Sequence, residues 1–195
     1  LTHYVLKYAL AQANEWLKSG LTLNVSVNVS MDNLTTLDFP DAIAAAINET
    51  DLSPSNLILE ITESRLMKDL LAQLDILTRL RLKRISLSID DFGTGHSSLV
   101  QLRDIPFDEL KIDRSFVHGA CNDASLSAIF ESSLAMARQL GLKTVAEGVE
   151  DIQDWNFLKA CECDIAQGYF IARPMPGDQL IDWVKEWQDR FPELI

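Results

Sequence analysis

Asp90 and Asp91 stand side by side in the run Ser86-Leu-Ser-Ile-Asp-Asp-Phe-Gly-Thr-Gly-His-Ser-Ser98. Two adjacent carboxylates at the end of a strand suit a hard divalent cation, because one can bridge two ions while its neighbour binds one. Gly93 and Gly95 let the backbone turn directly afterwards, which presents the side chains to a ligand. Taken alone, the dipeptide reads more simply as a solvated acidic turn. Residues elsewhere in the chain shift the balance. Asn28, Glu60, Lys111, Glu147 and Gln167 each fall at or near the end of a strand-like pattern. Oxygen ligands with one Asn favour Mg2+ or Mn2+ over Zn2+. Lys111, flanked by Leu110 and Ile112 and on the inward parity, needs an acidic partner and is hard to explain as packing.

The elements that must position these groups are legible as periodicities. Leu23, Val25, Val27 and Val29 alternate with Asn24, Ser26 and Asn28, and Ile85, Leu87 and Ile89 alternate with Ser86, Ser88 and Asp90, so small polar groups lead along one face to each candidate ligand. Strands are predicted over 21–30, 57–62, 86 onward, 107–113, 143–147 and 165–171. Helices are predicted over 4–17, 39–48 with Pro40 in its first turn, 70–82, 124–140 closed by Gly141, 155–161 and 177–191, with a short helical turn at 97–102. Trp155 and Phe157 read as core and not as a platform for stacking bases.

Strands alternating with helices indicate a parallel sheet of βα units, whose right-handed crossovers bring every strand's C-terminal end to one rim. Asn28, Glu60, Asp90, Asp91, Lys111, Glu147 and Gln167 can converge there. A closed barrel of this type has eight strands, and this sequence shows six and opens on a helix. Two architectures remain, an open doubly wound sheet and a barrel whose first one or two strands lie before Leu1; the second is preferred. Residues 1–195 read as one domain, without repeats or a linker-like break.

Composition narrows the function. With 47% hydrophobic and 24% charged residues the chain is an ordinary globular sequence. Its net charge of −12 comes without a long run of Lys or Arg, so a long nucleic acid is excluded as a partner. No stretch is apolar over the length of a membrane span, and Leu-Thr-His-Tyr does not begin a signal peptide; a cytoplasmic domain is expected, although a segment upstream could carry an anchor. Cys121, Cys161 and Cys163 fit free thiols in a reducing compartment. His3, His96 and His118 are too scattered for a histidine metal site or a Ser-His-Asp triad to be assembled from local spacing.

Six blocks, in order, resemble the EAL domain, the cyclic di-GMP phosphodiesterase family: Asn24-Val-Ser-Val-Asn-Val-Ser30, Leu59-Glu-Ile-Thr-Glu-Ser64, Asp90 to Ser98, Leu110-Lys-Ile-Asp-Arg-Ser-Phe116, Val145-Ala-Glu-Gly-Val-Glu150, and Gln167-Gly-Tyr-Phe170 running into Arg173-Pro174. The resemblance implies a modified (β/α)8 TIM-like barrel whose first strand runs opposite to the others, here with about six βα units. It implies two Mg2+ or Mn2+ ions, with Asn28, Glu60 and Asp90 holding the first, Asp90 bridging, and Asp91 and Glu147 helping to hold the second. Lys111 is then expected to contact the attacking water or the phosphate, and Gln167 to lie further out. Glu63 and Glu150 resemble the pair that positions the family's mobile loop, residues 92–98 here. Arg173 and Pro174 stand where the family contacts the nucleotide.

The sequence also departs from the family. The Glu-Ala-Leu motif that names the family, whose Glu is a further metal ligand, does not occur; its expected place is before Leu1. Loss of such a ligand lowers metal affinity and rate, so the 195 residues alone can be inactive. His96 stands where the family commonly has Tyr. The functional expectation is hydrolysis of cyclic di-GMP to linear pGpG. The alternative is a silent receptor that binds the nucleotide and signals through a partner; retention of Asp90, Asp91 and Lys111 favours the enzyme. The family's modular habit adds an upstream sensory, receiver or cyclase module and a homodimer as expected partners.

Overall fold

The structure, a computed structural model, describes residues 2–63, 70–94 and 103–193, with the backbone alone for 70–72. Within them the order is α1 (Thr2–Lys18), β1 (Val25–Asn28), α2 (Phe39–Asn48), β2 (Leu57–Thr62), α3 (Leu70–Leu82), β3 (Ser86–Phe92), β4 (Glu109–Ile112), α4 (Ala124–Leu140), β5 (Lys143–Glu147), α5 (Ile152–Ala160), β6 (Ile165–Gln167) and α6 (Leu180–Arg190). The helical turn expected at 97–102 lies outside the described residues.

All strand pairs are parallel, and the sheet order is the chain order, β1 to β6. A doubly wound sheet must reverse its strand order at a switch point. Here every new strand is added to the same side of the last, the progression of an incomplete (β/α)8 barrel, and the sheet curls with helices between its strands.

The alternation read from the sequence decides what each face does. Val27, Leu59, Leu87, Ile89, Leu110 and Ala146 point outward and are buried with Leu6 and Leu10 of α1, Ile43 and Ile47 of α2, Ile76 and Leu80 of α3 and Phe130 and Leu134 of α4. Full burial of each such Leu or Ile contributes about 1.5–3 kcal/mol, so this outer layer carries the stability. The inner face is polar instead, with a cavity of about 420 Å3 lined by Asn24, Ser26, Glu60, Glu109, Lys111 and Lys143 among others.

Local polar contacts set where elements begin and end. Asp123 accepts from the N–H groups of Ser125 and Leu126 at the start of α4, and Gly141, with φ 72°, closes that helix in the left-handed conformation. Asp151 accepts from Gln153 and Asp154 N–H, which starts α5 at Ile152, three residues before the apolar pattern suggests. β1 and β4 are shorter than their apolar runs, and β6 stops at Gln167 because the Gly168 carbonyl accepts from Ile171 and Ala172 N–H and turns the chain. Trp155 packs with Phe170, Trp187 and Phe191, and Phe157 with Phe130, both against the core as expected.

Candidate functional site

Acids from β2, β3 and β5 surround one base on β4. Lys111 Nζ lies 2.8 Å from Glu60 Oε1, 3.1 Å from Asp90 Oδ1 and 2.7 Å from Glu147 Oε1. Asn28, opposite Glu60 in the β1–β2 register, donates its Nδ2 to Glu60 Oε2 at 3.2 Å. Gln167 stands opposite Glu147 in the β5–β6 register at the exposed end of the row. Carboxylate oxygens of Asp90, Asp91 and Glu147 lie within 4.8 Å of one another.

Consecutive residues of a strand face opposite ways, so Asp90 and Asp91 could not both reach this rim from a regular strand. The backbone solves this with a bulge. Ile89 pairs with Leu110 and Phe92 with Ile112, leaving Asp90 and Asp91 together opposite Lys111. Asp91 takes φ 55°, the left-handed region that Asp tolerates better than most residues. Its carbonyl then accepts from the N–H and hydroxyl of Thr94, closing a turn.

Charge and burial act against each other here. Burial disfavours the Lys111 ammonium, yet its bonds to Glu147 and Glu60 outweigh that and hold its pKa above the ordinary lysine value. Burial raises the Asp91 carboxyl, and the negative neighbours Asp90 and Asp113 raise it further. Burial also raises Glu147, with Lys111 pulling the other way.

Glu63 is buried and accepts from Gly93 N–H at 2.8 Å, tying the end of β2 to the turn after the acidic pair. Residues 95–98 of the expected loop, His96 included, lie outside the described residues. Glu150 is exposed and lines a cavity of about 310 Å3 with Asp91, Arg114, Glu147, Gln167 and Tyr169. Arg173 lies outside the acidic cluster, its guanidinium 4.7 Å from the centre of the Tyr169 ring, and Pro174 follows it on the surface. Arg114 and Tyr169 were not singled out from sequence; the available signal was their position, three residues after Lys111 and two after Gln167. Gly168 lets this wall form, since a Cβ there would lie 2.1 Å from the Val149 carbonyl oxygen.

The fold also gathers a histidine cluster that local spacing did not reveal: His118, Asp151 and Asp154. Asp154 accepts from His118 Nδ1 at 2.9 Å and from the N–H groups of Gly119 and Glu150, and Asp151 Oδ1 caps α5. These oxygens are committed to the backbone, so the cluster fastens the loop after β4 to α5.

The donor set at the rim suits hard divalent cations. Glu60, Asp90, Asp91 and Glu147 supply oxygen donors, Asn28 adds an amide, and among the described residues no thiol or imidazole competes in this group.

The family model that matches is that of the EAL domain, over residues 1–174, and the chain belongs to that family. Over 179 residues it is 42% identical to the bifunctional diguanylate cyclase/cyclic di-GMP phosphodiesterase MucR of Pseudomonas aeruginosa, covering 91% of this chain and 26% of that protein. The solved c-di-GMP complex of the PaMucR phosphodiesterase superposes with a TM-score of 0.85 at 42% identity, covering 91% of this chain and 72% of that one. The EAL domain of Mycobacterium smegmatis DcpA gives 0.90 at 34% identity, covering 95% and 84%. A manganese/cy-diGMP complex of Klebsiella pneumoniae BlrP1 gives 0.83 at 26% identity, covering 90% and 45%. The chain thus spans about a quarter of the length of its relative MucR.

Proposed function

We propose that this chain is the barrel core of a cyclic di-GMP phosphodiesterase that uses two Mg2+ or Mn2+ ions to open the cyclic dinucleotide to linear pGpG. The observation that carries the reading is the meeting of Glu60, Asp90, Asp91 and Glu147 around Lys111 at one sheet rim. Asn28, Glu60 and Asp90 would hold one ion, and Asp90, Asp91 and Glu147 the other. Cations held there would supply charge neutralisation for the phosphodiester, a more acidic water and stabilisation of the leaving oxygen. Oxygen from that water joins phosphorus, the P–O3′ bond breaks, and the product carries a 5′-phosphate and a 3′-hydroxyl. Lys111 offers N–H donors to the incoming water or a phosphate oxygen, and Gln167 extends the polar row. Glu63 steadies the backbone after Asp91, and Glu150 borders the outer cavity. Arg173, held by Tyr169, and Pro174 supply a cation and an apolar edge for a nucleotide.

The names of the relatives support the substrate, and the manganese complex of BlrP1 supports Mn2+ as an ion such a site can hold. Three free cysteines support a cytoplasmic setting for the domain, and no helix among the described residues is long and apolar enough to cross a membrane. MucR's second activity supports a further signalling module in the same polypeptide. Exposed Ile129, beside Phe92 and Met136 on a shared apolar hollow, supports pairing of two copies. The deciding experiment incubates the full-length protein with cyclic di-GMP and Mn2+ and separates the products by chromatography. Linear pGpG is expected, and Asp90→Asn is expected to abolish it; nucleotide binding with no linear product overturns the enzyme in favour of a receptor.

A further inference from the structure

The ammonium of Lys111 has three N–H donors, and three carboxylates from three different strands stand within 3.1 Å of it. Only 6% of its side chain is exposed. In this arrangement no donor is left for a water or a phosphate, and the oxygens it holds are ones that a divalent cation would need. Lys111 also has two bulged acids opposite it in the sheet, Asp90 and Asp91, so without its charge four carboxylates would crowd one rim.

We propose that Lys111 is the internal counter-ion of the metal-free site: its ammonium holds Glu60, Asp90 and Glu147 together until a cation takes its place. The inference rests on the metal-dependent reading above and goes beyond it in assigning Lys111 a sign. Its charge opposes metal entry while it supports the empty fold. Cations held by these carboxylates would free the ammonium from Glu60, Asp90 and Glu147, and the N–H donors released are those the reaction needs. The residue thereby couples occupancy of the site to readiness for substrate. A lysine that only served the reaction would leave the melt in EDTA unlowered when neutralised, and one that shaped the ligands for metal would weaken binding when removed.

The test compares the full-length protein with Lys111→Met and Lys111→Gln at about pH 8, where the carboxylates are ionised, reading Mn2+ binding from the resonance signal of free Mn2+ and melting in EDTA. Whichever neutral variant folds is expected to bind Mn2+ at least about tenfold tighter, since a like charge has left the immediate neighbourhood of the ion. It is also expected to melt about 5 °C or more lower in EDTA and to gain more from Mn2+ than the parent does. Lys111→Arg, which keeps the charge, is expected to bind no tighter than the parent. A parent that binds Mn2+ beside a neutral variant that binds equally or more weakly overturns the counter-ion role alone. Absence of Mn2+ binding in both overturns the metal-dependent reading, and the counter-ion role with it.

Discussion

Asp91 shows how much one backbone angle contributes to the site. At φ 55° it lets a second carboxylate join the first at the rim, and the left-handed region costs a residue with an ordinary side chain about 1–2 kcal/mol. Asp91→Asn and Asp91→Ala remove the same charge but differ in tolerance of that angle. In EDTA, the Ala variant is expected to be about 1 kcal/mol less stable than the Asn variant by urea unfolding; equal stabilities would show that the angle carries no strain. Both acids are legible as a pair in the sequence. Their joint aim is not, because it depends on how β3 pairs with β4. His118 offers a second measurement at this scale. Its hydrogen bond to Asp154, with Glu150 and Asp151 nearby, raises its pKa above 6.5. The resulting stabilisation is full below the unfolded value and is lost as pH rises through the raised folded one. The stability gap between the parent and His118→Gln should therefore be largest near about pH 6 and close by about pH 9. A gap that widens with pH would refute the assignment.

At the scale of elements, one device recurs. Asp108, just before β4, accepts from Leu87 N–H near the start of β3 at 2.9 Å, and Asp164, just before β6, accepts from Thr144 N–H near the start of β5 at 2.8 Å. Each acid pins a strand to the one that precedes it in the sheet, and so helps to set the register that lines up the far ends. Asp108→Ala leaves the Leu87 N–H without its partner and is expected to cost about 1–3 kcal/mol by urea unfolding. The Arg81 ion pair lost at the same time is partly exposed and adds little. An unchanged midpoint would show that water replaces the carboxylate freely. These acids were not distinguishable in the sequence from surface charge, since their role lies in contacts about twenty residues away. The helix caps are more legible: the position of Gly141 after the apolar pattern marks the stop of α4.

On the scale of the molecule, the outer apolar layer holds the fold and the polar rim strains it. Carboxylates that repel one another when the site is empty should make a bound cation a source of stability. At a free Mn2+ concentration about a hundred times its dissociation constant the gain is about 2.7 kcal/mol, or a rise of about 5–10 °C in Tm over the EDTA value. Identical melts with and without Mn2+ would remove the metal from the account. The progression of six strands in chain order also belongs to this scale. Alternating strands and helices suggested a parallel sheet, yet they left a doubly wound sheet and a barrel both open until the neighbours of each strand were known.

The sequence by itself determined which residues face helices and which face the barrel interior, because alternation along a strand is a property of one segment. It also determined the chemistry of the rim: oxygen donors, one amide and one lysine, each near a strand end. Only the tertiary structure decided that Asp90 and Asp91 share a bulge, that Lys111 sits among Glu60, Asp90 and Glu147, and that Glu150 shares a cavity with Arg114 and Tyr169. Those outcomes depend on the register between strands, and register is set by atoms far apart in the chain, which no local pattern records.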